Sequence, residues 1–220
     1  MLTLALEAAT YAGSVAVLRD DVVLVERTTA MRGAHEERLM PAVAAALEEA
    51  GVPPAALDRI VCGCGPGSFT SLRIAASIAK GIASGIDRPL FAVSSLVLIV
   101  ASAAQPAGRF LAVLEALRGE VFAQEVEVSD DGRVSRAGAV HLLPAAALVA
   151  TAADAEARLI GPGQRLEAAP HARGVARIAD STGLGLDAPV ELVTWEPRYG
   201  RAAEAQVRWE AAHGRPLPRE

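Results

Sequence analysis

The sequence runs to 220 residues, 52% hydrophobic and 21% charged, a balance that suits a folded globular chain and excludes general disorder. Its net charge is −5 and its pI near 5.5. A free-standing nucleic-acid-binding module needs clustered Lys and Arg, so that reading is disfavoured. One or two domains fit this length.

From the start, residues 2–8, 13–19 and 22–28 are short β-rich runs parted by turn-formers at 12–13 and 20–21, which predicts three consecutive antiparallel strands. A helical pattern follows over 34–50, although Pro41 is awkward inside a helix and marks a kink or a start near it. An apolar strand at 59–63, a helix over 70–85 and a strand at 90–93 come next, and Ser94 or Ser95 opens a third helix. This order, β-β-β-α-β-α-β-α, implies a mixed sheet covered by helices.

The stretch 105–108 reads as a boundary, giving an N-terminal lobe of residues 1–105 and a smaller C-terminal lobe of 106–220. Beyond it, 109–115, 121–129 and 133–140 repeat the three-strand theme, with turns at Arg118-Gly119 and at Asp130-Asp131-Gly132. A helix at 144–150 and a strand at 158–160 are the last regular elements expected. The end, 215–220, is expected to fray.

Met1 leads straight into apolar residues with no basic n-region, and the longest apolar stretch, 90–104, is broken by serines and too short for a membrane span. The only cysteines, Cys62 and Cys64, are too close for an easy disulfide. A cytoplasmic protein is expected.

Four segments offer candidate function. Gly65-Pro66-Gly67-Ser68-Phe69-Thr70-Ser71-Leu72-Arg73 follows a strand and opens a helix; Gly65 and Gly67 permit a sharp turn, and Ser68 or Thr70 can cap the free amides. Such a helix start can hold an anion, yet the loop lacks the Walker lysine and the dinucleotide glycine spacing. On the helix behind it, Leu72, Ala75, Ala76, Ala79 and Ala83 share one face and Ile74, Ile78 and Ile82 an adjoining one. Together they cover an apolar arc of roughly 200°, wider than a surface helix needs. The arc is filled either by another helix of this chain or by another subunit. His35 begins the first helix with Leu39 one turn on, where a metal site would need a second histidine. The charges Glu115, Arg118 and Glu120 read as a solvated hairpin, and 197–201 as an extended segment anchored on Tyr199. No nucleophile-base pair, metal cluster or carboxylate pair stands out.

Together these segments resemble the TsaB (YeaZ) family. Leu4-Ala5-Leu6-Glu7-Ala8-Ala9-Thr10 is similar to its first-strand signature, and His35-Glu36-Glu37-Arg38-Leu39-Met40-Pro41 to its His-Ser-Glu-x-Leu-Leu-Pro segment. Residues 65–73 resemble its Gly-Pro-Gly-Ser-Phe-Thr-Gly-Leu-Arg loop, Val93-Ser94-Ser95-Leu96 the next strand-to-helix junction, 115–122 its Asp-Ala-Arg-x-Gly-Glu-Val-Tyr segment and 197–201 its Pro-x-Tyr-x-Arg. The resemblance is dense over 2–125 and thin beyond.

It implies an α/β chain of the actin/Hsp70/sugar-kinase fold, with two related lobes, the C-terminal one reduced. It also implies a non-catalytic subunit for threonylcarbamoyladenosine synthesis at A37 of tRNA, working with a catalytic TsaD and an ATPase TsaE. The catalytic relative carries a His-x-x-x-His metal pair in the equivalent helix, and Leu39 stands at its second position. Glu7 and Glu115 replace aspartates, Ser71 a glycine and Leu117 an arginine, which weakens nucleotide binding by this chain alone. No catalytic, cofactor or metal residue is therefore expected; the alternative is an active ATP- or metal-dependent enzyme of the same superfamily. The expected partner interface comprises His35, Leu39, Val43, Leu72, Ala75, Ala76, Ala79 and Ala83, pairing two copies when TsaD is absent, with tRNA met only through the complex. Gly65, Gly67, Ser68 and Thr70 are expected to be structural.

Overall fold

The computed structural model describes residues 1–31, 37–178, 188–200, 209 and 212–214. Strands β1 (Leu2–Glu7), β2 (Ala12–Arg19) and β3 (Val22–Ala30) form the expected antiparallel meander. β4 (Arg59–Gly63) then pairs parallel to β1, and β5 (Leu90–Val93) parallel to β4, giving the order β3-β2-β1-β4-β5. Helices α1 (Leu39–Glu49) and α2 (Phe69–Gly85) make the crossovers.

The second sheet repeats this plan. β6 (Gly108–Leu117), β7 (Glu120–Val128) and β8 (Val134–Pro144) form another antiparallel meander, and β9 (Arg158–Ile160) runs parallel to β6, in the order β8-β7-β6-β9. Two sheets of one topology, the second stopping a strand short, make this an α/β molecule of the actin/Hsp70/sugar-kinase type.

Strand alternation sorts the apolar side chains into layers. Leu4, Leu6, Val15, Val17, Ile60 and Cys62 face α1 and α2, while Ala5, Ala16, Leu18 and Val61 face the other way, into a core shared with the second sheet. Helix α3 (Ser95–Ser102) fills that shared core: every residue from Ser95 to Ala101 is buried. On the far side of the second sheet, Leu111, Val113 and Ala123 pack on Leu148 and Ala152 of α4 (Leu148–Asp154).

Several expected boundaries move, for physical reasons. The first helix begins at Leu39 rather than near residue 34, which puts Pro41 in its first turn, where no intrahelical N–H is lost. The Glu37 carboxylate accepts from the Leu39 and Met40 amides in place of a Ser or Thr cap. The helix expected at 144–150 is a 3₁₀ turn (Ala145–Ala147) running into α4. A further 3₁₀ turn, Ala172–Arg177, carries no periodic signal; tertiary hydrogen bonds hold it, from the Ala172 amide to Ser14 Oγ and from Arg177 to the carbonyls of Gly132 and Gln105. Among the described residues, no helix is long and apolar enough to cross a membrane.

Candidate functional site

The 65–73 loop begins where β4 ends beside β5. The Cys64 amide donates to the Val93 carbonyl at 2.8 Å, and Gly65 exchanges two bonds with Ser95, its amide giving to Oγ at 3.1 Å and its carbonyl accepting from the Ser95 amide at 2.9 Å. The Gly65–Pro66 peptide bond is cis. Ser68 then donates its amide to the Ala9 carbonyl at 2.7 Å, seating the loop on the end of β1. A Cβ on Gly67 would run into that same carbonyl, and one on Gly65 would come within 2.5 Å of the Arg198 carbonyl. Glycine is thus required by close backbone approach. The capping expectation changes: α2 has no side-chain cap, because Ser68 Oγ meets Ser71 Oγ at 3.0 Å, while Thr70 is exposed. Ser94 and Ser95 likewise flank the start of α3 but serve tertiary bonds, to Gln124 and Glu7.

Glu7 ends β1 on the core side of the sheet and is wholly buried. Its Oε2 accepts from Ser95 Oγ at 2.8 Å and its Oε1 from the Ala9 amide at 2.5 Å; Gly63 leaves it room, since a Cβ there would strike Oε2. Burial pushes its carboxyl up to about 7, against the lowering pull of those hydrogen bonds. Burial also raises both thiols, Cys62 well above its usual range and Cys64 to about 11. Glu7 is therefore committed to the interior.

A cleft of about 650 Å³ opens between the lobes. It is walled by Thr10 and Tyr11 of the β1–β2 turn, the start of α2 and the β6–β7 hairpin from Leu114 to Leu117. Phe69 and Tyr199, with ring centroids 4.4 Å apart, stand on one side, and Arg73 lies 5.2 Å over the Phe69 ring. Tyr199 is thus the anchor the sequence suggested. Glu115 contributes the carboxylate of the lining, and Glu7 does not reach it.

The helix face needs a correction. Leu72, Ala75, Ala76, Ala79 and Ala83 are all buried within this chain, as are Leu39 and Val43 on α1. Ala75, Ala79 and Ala83 share a core with Leu4, Leu6, Ile60 and Leu90. Small side chains bring α2 close to its own sheet, so the alanine stripe is an internal contact and not an exposed one. His35 lies outside the described residues. The open side of α2 presents Arg73, Ser77, Gly81 and Ser84, flanked by the half-buried Ile74, Ile78 and Ile82. Beside it, an apolar groove of about 420 Å³ runs past Met40, Ala44, Leu47, Pro53, Pro54 and Ile82, with Met40 43% exposed. The missed signal was the pair Ser77 and Gly81, small residues one turn apart between isoleucines.

The family model described as "TsaD: tRNA N6-adenosine threonylcarbamoyltransferase" matches residues 26–188, more than half of the chain. The tRNA threonylcarbamoyladenosine biosynthesis protein TsaB of Bacillus subtilis (strain 168) is 37% identical over 122 residues, 56% of this chain and 53% of that protein. TsaB of Escherichia coli (strain K12) is 35% identical over 134 residues, 60% of this chain and 58% of its own length. The chain thus spans little more than half the length of these curated relatives. Among solved structures, an uncharacterized protein with similarity to peptidase YEAZ from Pseudomonas aeruginosa superposes with a TM-score of 0.74 at 30% identity, covering 91% of this chain and 99% of that one.

Proposed function

Because this chain belongs to the TsaB (YeaZ) family, we propose that it serves tRNA threonylcarbamoyladenosine synthesis as a non-catalytic subunit that supports a TsaD-like transferase. The observation that carries the reading is the open face of α2. A solvated helix side with Ser77 and Gly81 one turn apart lets a second helix come close, and Ile74, Ile78, Ile82 and the Met40 groove supply apolar area around it. We assign the partner surface to this face, one side of the helix away from the alanines first expected. The same face would pair two copies when the transferase is absent. A TsaE-like ATPase and tRNA would join through the assembled complex.

The burial of Glu7 supports the non-catalytic part of the proposal. A carboxyl bound to Ser95 and the Ala9 amide cannot also hold a metal or phosphate in the cleft without breaking that network. Leu39 is buried in the core as well, where the resemblance would need a metal-binding histidine. The competing reading, an active ATP- or metal-dependent enzyme, draws on the 650 Å³ cleft and on the transferase named by the family model.

Reconstitution separates the two. Purified chain should transfer no threonylcarbamoyl group to tRNA alone, and should raise transfer when added to a TsaD-like subunit and a TsaE-like ATPase. Gly81→Arg should abolish that stimulation while the variant stays folded, because a Cβ on Gly81 meets nothing within 4 Å. Transfer by the chain alone, or full stimulation by the variant, would sink the proposal.

A further inference from the structure

Residues 188–200 form no helix and belong to neither sheet, yet they cross the molecule from one lobe to the other through a series of point contacts. The Val190 amide donates to the Leu90 carbonyl at the open edge of β5, at 2.8 Å. Lys80 Nζ reaches from α2 to the Trp195 carbonyl at 3.0 Å. The Arg198 amide donates to the Cys64 carbonyl at 2.7 Å, and the Tyr199 ring packs tilted against Phe69. Gly200 ends the run against the second lobe, so close to β7 that a Cβ would stand 2.5 Å from the Phe122 ring. Between these points Leu192 is half-buried and Pro197 buried, while Glu191, Val193, Thr194 and Glu196 are exposed, Val193 at 85%.

Beneath it lies a second cleft, of about 640 Å³ and separate from the one that Tyr11 lines. Cys64, Ala92 and Ser94 wall it on the first lobe; Gln124, Val140 and Leu142 wall it on the second. The segment itself supplies Val190, Trp195, Glu196 and Arg198 to the lining. Polar groups on the floor are paired, Ser94 Oγ donating to Gln124 Oε1 at 2.6 Å and Gln124 Nε2 to the Gly138 carbonyl at 3.0 Å. The apolar side chains it sets on the lobes, Val190, Leu192, Trp195 and Tyr199, are only partly buried, and with no ladder or helix of its own the segment stands below the strands it rests on in local stability.

We propose that residues 188–200 act as a clasp across the two lobes, opening as one unit ahead of global unfolding and so controlling access to the cleft beneath. The contacts lie in series along one short stretch, so losing an end contact removes the constraint that keeps the next in register. This inference does not rest on the proposed partner role, because the clasp is built from contacts within the chain.

The two cysteines provide the test. Cys64 lines the cleft under the clasp, while Cys62 is fully buried in the α1–α2 core and does not line it. Each is to be followed alone, in Cys62→Ala and Cys64→Ala chains, by its rate of reaction with 5,5′-dithiobis(2-nitrobenzoate). Opening frees the Cys64 thiol from the burial that raises its pKa, so its rate reports the open population. Cys64 should react at least ~10-fold faster than Cys62. Lys80→Met at one anchor and Gly200→Val at the other should each speed Cys64 about 10-fold more, with Cys62 and the melting temperature unchanged. Should Gly200→Val lower the melting temperature, Lys80→Met decides. Equal rates for the two thiols, or a Cys64 rate unmoved by Lys80→Met, would overturn the clasp.

Discussion

A carboxyl sealed from water binds its proton more tightly than the same group in an unfolded chain, and Glu7 is held that way with its value raised from 4.5 to about 7. The sign follows directly. Its contribution to stability is complete below about pH 4.5 and is lost as pH rises through about 7, and the gap corresponds to roughly 3 kcal/mol. Glu7→Gln, which keeps an acceptor for Ser95 and Ala9, should flatten this dependence and unfold at higher denaturant than the parent at pH 8, with the advantage shrinking toward pH 5. Urea titrations at the two pH values measure it, and parallel curves would mean that Glu7 keeps its ordinary value. Gly67 makes a different kind of prediction. A side chain there meets the Ala9 carbonyl, which itself accepts from the Ser68 amide. Gly67→Val should therefore cost about 1–3 kcal/mol, and an unchanged melting temperature would contradict the close approach. The need for glycine in this loop was legible in the sequence, but the burial of Glu7 was not: it depends on Ser95, which is 88 residues away.

Strands β1 to β9 and helices α1 to α3 could be placed from the sequence because alternation and the 3.6-residue period are local. Which side of α2 faces its own sheet could not, since an arc apolar over roughly 200° fits either orientation. Size decides it: alanines sit where the helix must approach β4 closely, and the bulkier isoleucines are left at the rim. Two substitutions on one helix expose the difference. Ala79→Arg forces an unpaired charge into the core shared with Leu4 and Ile60, and a loss of several kcal/mol should leave the chain unfolded. Gly81→Arg, half a turn away in open space, replaces a poor helix former and should raise stability by up to about 1 kcal/mol. Circular dichroism melts distinguish these outcomes; a folded Ala79→Arg would return the alanine stripe to the surface. Residues 188–196 and the 3₁₀ turn at Ala172–Arg177 escaped sequence reasoning for another reason, since side-chain and backbone bonds to distant elements hold both and no periodic pattern marks them.

The two sheets are drawn from separate stretches of the chain, residues 2–93 and 108–160, yet besides the core on its outer face each shares one core with the other. Leu96, Val97, Leu98, Ile99 and Val100 of α3 lie in one apolar cluster with Ala16 and Val61 of the first sheet and with Phe110, Ala112 and Val126 of the second. A helix buried on every side cannot leave one neighbour without exposing a full face to water. The boundary near residue 105 is therefore a change of sheet without a break in packing, and the lobes should unfold together. Leu98, fully buried, tests the link from its centre. Leu98→Ala should cost about 2–5 kcal/mol and move one calorimetric transition as a whole, with van't Hoff and calorimetric enthalpies still equal. A chain ending at residue 105 should fail to fold, because it would present the second-sheet side of α3 to solvent. Two resolved transitions, or a cooperative melt from the 1–105 fragment, would show instead that each lobe is stable by itself.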